Sequence, residues 1–168
     1  RFKKIAALVN EAVAESRNIA HNLMPSTLND FGYALAVENM LDSLEGVTDT
    51  QFKFYSNYAP GLLDQTIELG LYRITQEAVN NSIKHSKAKS VTIQLMCYPD
   101  IVILTIEDDG EGFDLKNTNE ISRFGLNSME NRARSINAEF SIDSEQGKGT
   151  VITLQMHLKQ KKDENTIS

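Results

Sequence analysis

Between residues 71 and 86, LYRITQEAVNNSIKHS, the polar side chains fall in an order that can serve a metal-bound polyphosphate. Arg73, Glu77, Asn81 and Lys84 sit at i, i+4, i+8 and i+11, which lines up a carboxylate, an amide and an ammonium along one side of a helix. The amide oxygen of Asn81 suits Mg2+, a hard cation that keeps several of its waters. A carboxylate such as Glu77 can act as a general base or orient a nucleophile. The same stripe equally fits a solvated helix face, with an i,i+4 polar pair and a basic end favoured by the helix dipole. The other side, Leu71, Ile74, Ala78, Val79, Ser82 and Ile83, is broad and apolar.

A second group is Ile106-Glu107-Asp108-Asp109-Gly110-Glu111-Gly112-Phe113, an apolar run ending in carboxylates and two glycines spaced by one residue. An Asp at a strand end can accept a hydrogen bond from an amino group such as that of adenine. Glycines beside it let backbone approach a flat ligand or take positive φ. The alternative is a tight Asp/Gly turn, with or without Ca2+, although no Glu follows at the bidentate position of an EF-hand loop. Two weaker signals come later. In Arg123-Phe124-Gly125-Leu126-Asn127 a glycine reads as opening a helix, whose free N–H groups favour phosphate. Gly147-Lys148-Gly149-Thr150 reads by itself as a hairpin turn, and it lacks the longer glycine-led loop of a P-loop.

The elements that must position these residues follow from hydrophobic period. Residues 1–24 read as a helix, with Phe2, Ile5, Val9, Val13, Ile19, Ala20 and Leu23 forming a narrow seam suited to a helix bundle. Pro25 ends it, and Ser26 and Thr27 read as turn residues. Helices are expected over 33–44, 64–86 and 126–136, and strands over 51–57, 91–96, 101–106, 139–143 and 150–158. Residues 114–122 are polar and without period, and 159–168 read as a solvated tail. Strands joined by such short turns pair antiparallel. The expected fold is α+β, with helices layered on one face of a mixed, largely antiparallel sheet, preceded by a dimerisation-type helix.

At 168 residues the chain suits one compact domain with a short appendage. A net charge of −6 argues against a nucleic-acid partner, which needs clustered Lys and Arg. The one basic cluster, Lys84, His85, Lys87 and Lys89, is too short for a duplex footprint. No run approaches a membrane span, and Cys97, the sole cysteine, reads as a buried structural thiol in a reducing compartment. The chain starts at Arg1, without an initiator Met, and reads as a piece of a longer protein.

Taken in order, these segments resemble the nucleotide-binding boxes of the histidine-kinase ATPase superfamily, which also holds gyrase, a mismatch-repair protein and a heat-shock chaperone. QEAVNNSIKHS resembles the N box, EDDGEGF the Asp-x-Gly-x-Gly box, FGL the lid-end glycine box and GKGT the last glycine box. The front, ESRNIAHNLMPSTLNDFGYALAVENML, is similar to the second dimerisation helix and connector of the subfamily of nitrate and membrane-fluidity sensors. The resemblance implies a cytoplasmic, ATP- and Mg2+-dependent protein-histidine kinase region, dimeric in the full-length protein. It implies transfer of the γ-phosphoryl to an upstream histidine, relay to the receiver domain of a response regulator, and membrane attachment only through segments outside the chain. The implied division is 1–30 as dimerisation helix and connector, 31–158 as ATP-binding domain and 159–168 as tail. Alternatives are an ATP-gated module of the gyrase or chaperone kind, or a non-catalytic dimerisation domain.

Carried over by position, Glu77 matches the catalytic glutamate and Asn81 the Mg2+ ligand. Lys84 and His85 match phosphate-facing residues, and Asp108, flanked by Gly110 and Gly112, matches the adenine-reading carboxylate. Gly125 and Leu126 match the end of a lid expected over 114–124, while Gly149 and Thr150 match the last box. Arg123 stands where many relatives carry the first lid glycine, and Asn137-Ala138 replaces a common Gly-Gly. His21 lacks the acidic neighbour that marks the phosphoacceptor, so it is not expected to be phosphorylated.

Overall fold

The computed structural model describes residues 26–115 and 120–158, with the side chains of all but 120–124. The expected first helix with His21, residues 116–119 of the polar stretch, the side chain of Arg123 and the tail lie outside the described residues. In chain order the elements are α1 (Ser26–Phe31), α2 (Tyr33–Asp42), β1 (Gln51–Ser56), α3 (Gln65–Asn81) running into one π turn (Ser82–Ser86), β2 (Ser90–Cys97), β3 (Ile101–Asp108), α4 (Glu120–Ser135), β4 (Glu139–Glu145) and β5 (Gly149–His157). Among the described residues no helix is long and apolar enough to cross a membrane.

The five strands form one sheet in the order β1-β2-β3-β5-β4. β2 pairs antiparallel with β3, and β4 with β5, because three-residue connections can only reverse the chain. β1 pairs parallel with β2, since α3 carries the chain back between them. Helices cover one face. On β3 the side chains of Val102, Leu104, Ile106 and Asp108 are buried, while Ile101, Ile103 and Thr105 are half-buried and Glu107 is exposed. That alternation puts Asp108 on the helix-covered side, at the end of an apolar row. From α3, Leu71, Ile74, Ala78 and Val79 complete the core, and each such aliphatic residue larger than Ala contributes about 1.5–3 kcal/mol when fully buried.

Two helical expectations need correction. Ser26 and Thr27 open a helix rather than a turn. A proline bars the helix it would sit within and places no such limit on the residues after it. Leu28 of α1, 1% exposed, joins the same core as the sheet. The last helix starts at Glu120, not at Leu126, so Gly125 lies within it. Its N–H belongs to the helix ladder and is not a free anion donor. Asn137 has φ 56°, the left-handed conformation that the common glycine would take and that Asn tolerates. Cys97 is half-buried rather than fully buried, and burial pushes its thiol pKa up.

Tyr33 fastens α2 to α3. It is fully buried; its N–H donates to Glu68 Oε1 at 3.4 Å, and its hydroxyl bonds Thr75 Oγ1 at 2.7 Å, two helical turns further along α3. Its ring packs at a tilt against Phe54 of β1, with centroids 6.3 Å apart. The Tyr58 hydroxyl donates to the same Glu68 oxygen.

Candidate functional site

A cavity of ≈ 360 Å³ opens between the C-terminal half of α3, α4 and the ends of β3, β4 and β5. Ala78, Asn81, Ser82, His85 and Ser86 line it from α3 and the π turn. Ile106, Asp108, Gly112, Phe113 and Asp114 come from β3 and the turn after it, Leu126 and Met129 from α4, Ile142 from the edge strand β4, and Thr150 and Ile152 from β5. Six residues singled out in the sequence therefore meet here: Asn81, His85, Asp108, Gly112, Leu126 and Thr150. Glu77, Lys84, Gly110, Gly125 and Gly149 are not in the lining. Lys84 is exposed beyond the end of α3. Arg73, also on the polar stripe, donates to Gln76 at 2.8 Å. Burial holds its pKa below the usual arginine value, and the nearby Arg132 acts in the same direction.

Glu77 and Asn81 converge on Gly125. A Cβ placed on that glycine would stand 2.9 Å from Glu77 Oε1 and 3.6 Å from Asn81 Nδ2. The role of this glycine is thus close approach of α4 to the polar stripe of α3, and the stripe is not simply a solvated face.

The two adjacent aspartates part company. Asp108, 7% exposed, accepts at Oδ1 from the Gly110 N–H (2.9 Å) and at Oδ2 from the Ser82 hydroxyl (3.0 Å). The Ser82 hydroxyl also lies 3.1 Å from the Ala78 carbonyl, but a carboxylate is the stronger acceptor for its one proton. Asp109 is turned away, and its Oδ1 accepts from the backbone N–H groups of Ser90 (2.8 Å) and Lys89 (2.7 Å). The Ser90 bond is the main cause holding its carboxyl below the usual range, helped by Lys89. Asp109 therefore ties down the start of β2, and Asp108 alone faces the cavity.

Backbone crowding fixes the turn that follows. Gly112 has φ 57°, and a Cβ there would run into the carbonyl oxygens of Glu145 and Gly149. Gly149, at φ 82°, lies equally close to the Asp108 carbonyl. Two segments nearly 40 residues apart in sequence thus press backbone to backbone, which only glycine permits. Gly110 backs onto Ser86, whose carbonyl accepts from the Glu111 N–H at 2.7 Å.

The walls, Ile106, Phe113, Leu126, Met129, Ile142 and Ile152, are apolar, and one buried carboxylate stands at the inner end. Such a slot suits a flat heteroaromatic ring bearing an amino group. Asn81 and His85 border the same space, with Lys84 outside it, where a polyphosphate would extend. Among the described residues no group of three or more His, Cys, Asp or Glu could hold a metal ion. A cation here would take the Asn81 amide oxygen together with oxygens of a bound phosphate, which is how Mg2+ is commonly held.

Several lining residues were not singled out in the sequence. Ser82 falls on the apolar face by period, yet it follows Asn81 directly and lies in the cavity wall. Ile142 and Ile152 are inward positions of alternating strands, and they face each other across β4 and β5. Phe113 closes the EDDGEGF segment, while nothing local marks Met129, or Ser144 behind the lining.

Comparison with known proteins bears on the family and the fold. A family model described as histidine kinase-, DNA gyrase B-, and HSP90-like ATPase matches residues 66–160. The sensor histidine kinase ComP of Bacillus subtilis is 30% identical over 151 residues, covering 89% of this chain and 20% of ComP. The signal transduction histidine-protein kinase/phosphatase DegS of the same organism is 34% identical over 139 residues, covering 80% of this chain and 36% of DegS. The chain thus spans well under half of these relatives. Among solved structures, the Acinetobacter baumannii histidine kinase AdeS superposes with a TM-score of 0.66 at 15% identity, over 91% of this chain and 83% of that one, which shows a shared fold.

Proposed function

Because the chain belongs to the histidine kinase-, DNA gyrase B-, and HSP90-like ATPase family, we propose that its cavity binds Mg-ATP and that the chain is the catalytic region of a two-component sensor histidine kinase. The observation that carries this is the meeting of Asp108, on the buried end of β3, and Asn81 in one cavity, with Glu77 just outside it beside Asn81 and against Gly125. Asp108 accepts the adenine amino group, and Ile106, Met129 and Ile152 sandwich the ring. Gly110, Gly112, Gly149 and Thr150 shape that end of the slot. Asn81 is the metal ligand, while His85, Lys84, Gly125 and Leu126 border the phosphates. Bound Mg2+ supplies charge neutralisation on the phosphate oxygens, and phosphoryl transfer then depends mainly on positioning.

Glu77 lies one helical turn before Asn81 and outside the lining, where it meets the incoming nucleophile rather than the nucleotide. It acts as general base or orienting group for the acceptor imidazole. That acceptor belongs to a helix upstream of residue 1, and the phosphoryl passes from it to the receiver domain of a response regulator. The full-length protein is a homodimer whose kinase region faces the cytoplasm.

Incubation of the 168-residue chain with γ-labelled ATP tests this. The chain is expected to bind ATP without labelling itself, and to place acid-labile label on a supplied amphipathic helix bearing a His-Asp or His-Glu pair. ATP turnover without transfer would favour an ATP-gated module of the gyrase or chaperone kind. Acid-labile label on the chain itself, lost in His21→Gln, would overturn the assignment of the acceptor.

A further inference from the structure

The Ser82 hydroxyl and the Asp108 carboxylate meet 3.0 Å apart, where α3 runs into the π turn, and the two residues are only 3% and 7% exposed. A carboxylate only accepts, so in this contact Ser82 is the donor. The other oxygen near that hydroxyl, the Ala78 carbonyl, already accepts the Ser82 N–H. Asp108 Oδ1 takes a second donor, the Gly110 N–H at 2.9 Å. One donor therefore stands on each carboxylate oxygen. The torsion that turns an aspartate's carboxylate plane is broad and soft, and a donor on each oxygen holds it. Both donors rest on the same π turn. Ser82 opens that turn, and the segment carrying Gly110 is tied to its end, where the Glu111 N–H donates to the Ser86 carbonyl at 2.7 Å. The Ser86 hydroxyl closes the ring by donating to the Ser82 carbonyl at 2.8 Å.

From this we infer that Ser82 is a positioning residue, which fixes the plane of the Asp108 carboxylate and so the direction from which that carboxylate takes a donor of the base. A carboxylate has about four lone-pair sites, and Ser82 and Gly110 use one on each oxygen. Those left over keep a single direction while both donors hold. The Gly110 donor is backbone and stays in every variant, so Ser82 is the side chain that decides. Without its hydroxyl the plane is held at one oxygen only, and the bond to the ligand is spread over several carboxylate orientations.

This inference rests on Asp108 accepting the amino group of a bound adenine, and the experiment separates the two. Affinities of the 168-residue chain for ATP and for purine riboside triphosphate, which lacks the 6-amino group, are measured by calorimetry with Mg2+. The proteins are wild type, Ser82→Ala, Asp108→Ala and the double variant. Wild type is expected to prefer ATP. Ser82→Ala should reduce that preference roughly three- to tenfold, the size of one neutral hydrogen bond, through weaker ATP with the other nucleotide unchanged. In Asp108→Ala the preference should be gone, and adding Ser82→Ala should change it no further. A purely structural role would weaken both nucleotides alike. That result in Ser82→Ala, or an unchanged preference, would overturn the inference and leave the adenine reading in place. A further fall in the double variant would mean that Ser82 acts on the ligand itself, and would overturn the positioning role too. Equal wild-type affinities would instead remove the reading of Asp108. Should Ser82→Ala fail to fold, Ser82→Cys, close in shape but a weak donor, decides by the same ratio. A reduced preference supports the inference, and an unchanged one overturns it.

Discussion

Asp108 and Asp109 are chemically identical neighbours, and their hydrogen-bond partners divide the work between them. Asp108 is buried with its oxygens toward the cavity, whereas Asp109 spends its carboxylate on the backbone of Lys89 and Ser90. Losing a hydrogen bond to a charged group costs about 1.5–3 kcal/mol. Asp108→Ala should therefore weaken ATP roughly 10- to 150-fold in a calorimetric titration. Asp109→Ala should leave ATP affinity nearly unchanged. Glu77 calls for a different test, because it touches Gly125 rather than the cavity wall. Glu77→Gln should bind ATP as wild type does and yet slow labelling of a supplied acceptor helix. Equal rates for the two proteins would remove Glu77 from the chemistry.

At the scale of elements, the site depends on how closely the turn after β3 meets the β4–β5 hairpin. Gly112 and Gly147 make a controlled comparison, since both have positive φ but only at Gly112 would a Cβ meet other atoms. A Cβ on Gly112 meets two carbonyl oxygens, while one on Gly147 meets nothing within 4 Å. Gly147→Ala should cost only the left-handed backbone penalty, about 1–2 kcal/mol by denaturant unfolding. Gly112→Ala should cost more than that and should also weaken ATP, because the hairpin must move away from Asp108. Equal losses of stability for the two variants would mean that the close approach is unimportant. The π turn at the end of α3 sits at the same junction, with Ser82 and Ser86 bonded to Asp108 and to the Ala88 N–H respectively.

For the whole molecule, the joint between α1–α2 and the sheet domain is a buried polar cluster around Tyr33, Tyr58 and Glu68. Burial raises the pKa of Tyr33, opposed only in part by its bond to Thr75. Tyr58 is raised by burial first, then by the hydrogen bond and charge of Glu68. A raised pKa means that the folded state holds the proton more tightly than the unfolded chain. Stabilisation is thus complete below the unfolded tyrosine pKa, near 10, and is lost as pH rises above it. Urea unfolding from about pH 8 to about pH 11 should show stability falling above roughly pH 10. Tyrosinate absorbance from these two residues should appear together with unfolding. Appearance of their signals in the fully folded protein would contradict the buried cluster. Since Leu28 and Tyr33 are both buried in this unit, we propose that the boundary with the preceding segment lies ahead of Ser26.

Family resemblance implied that Asn81, His85, Asp108, Gly112, Leu126 and Thr150 belong together, and they line one cavity. The sequence's own pattern determined the strand order, the helices from Tyr33 onward and the face of α3 that is buried. These follow from period and from short-range order: alternation places Asp108 inward, and a helical repeat aligns Glu77 with Asn81. A glycine usually marks a helix terminus, which puts the expected start of α4 at Leu126, whereas Gly125 lies inside α4 and is placed by the side chains of another helix. The tertiary structure alone decided that Asp109 binds the backbone of Lys89 and Ser90, that Lys84 lies outside the cavity lining, and that Ser144 joins the turn after β3 to the start of β5. Each of these depends on contacts between segments far apart in the chain, whose distances no local pattern encodes. For Ser144 the partners come from the turn after β3 and from the start of β5.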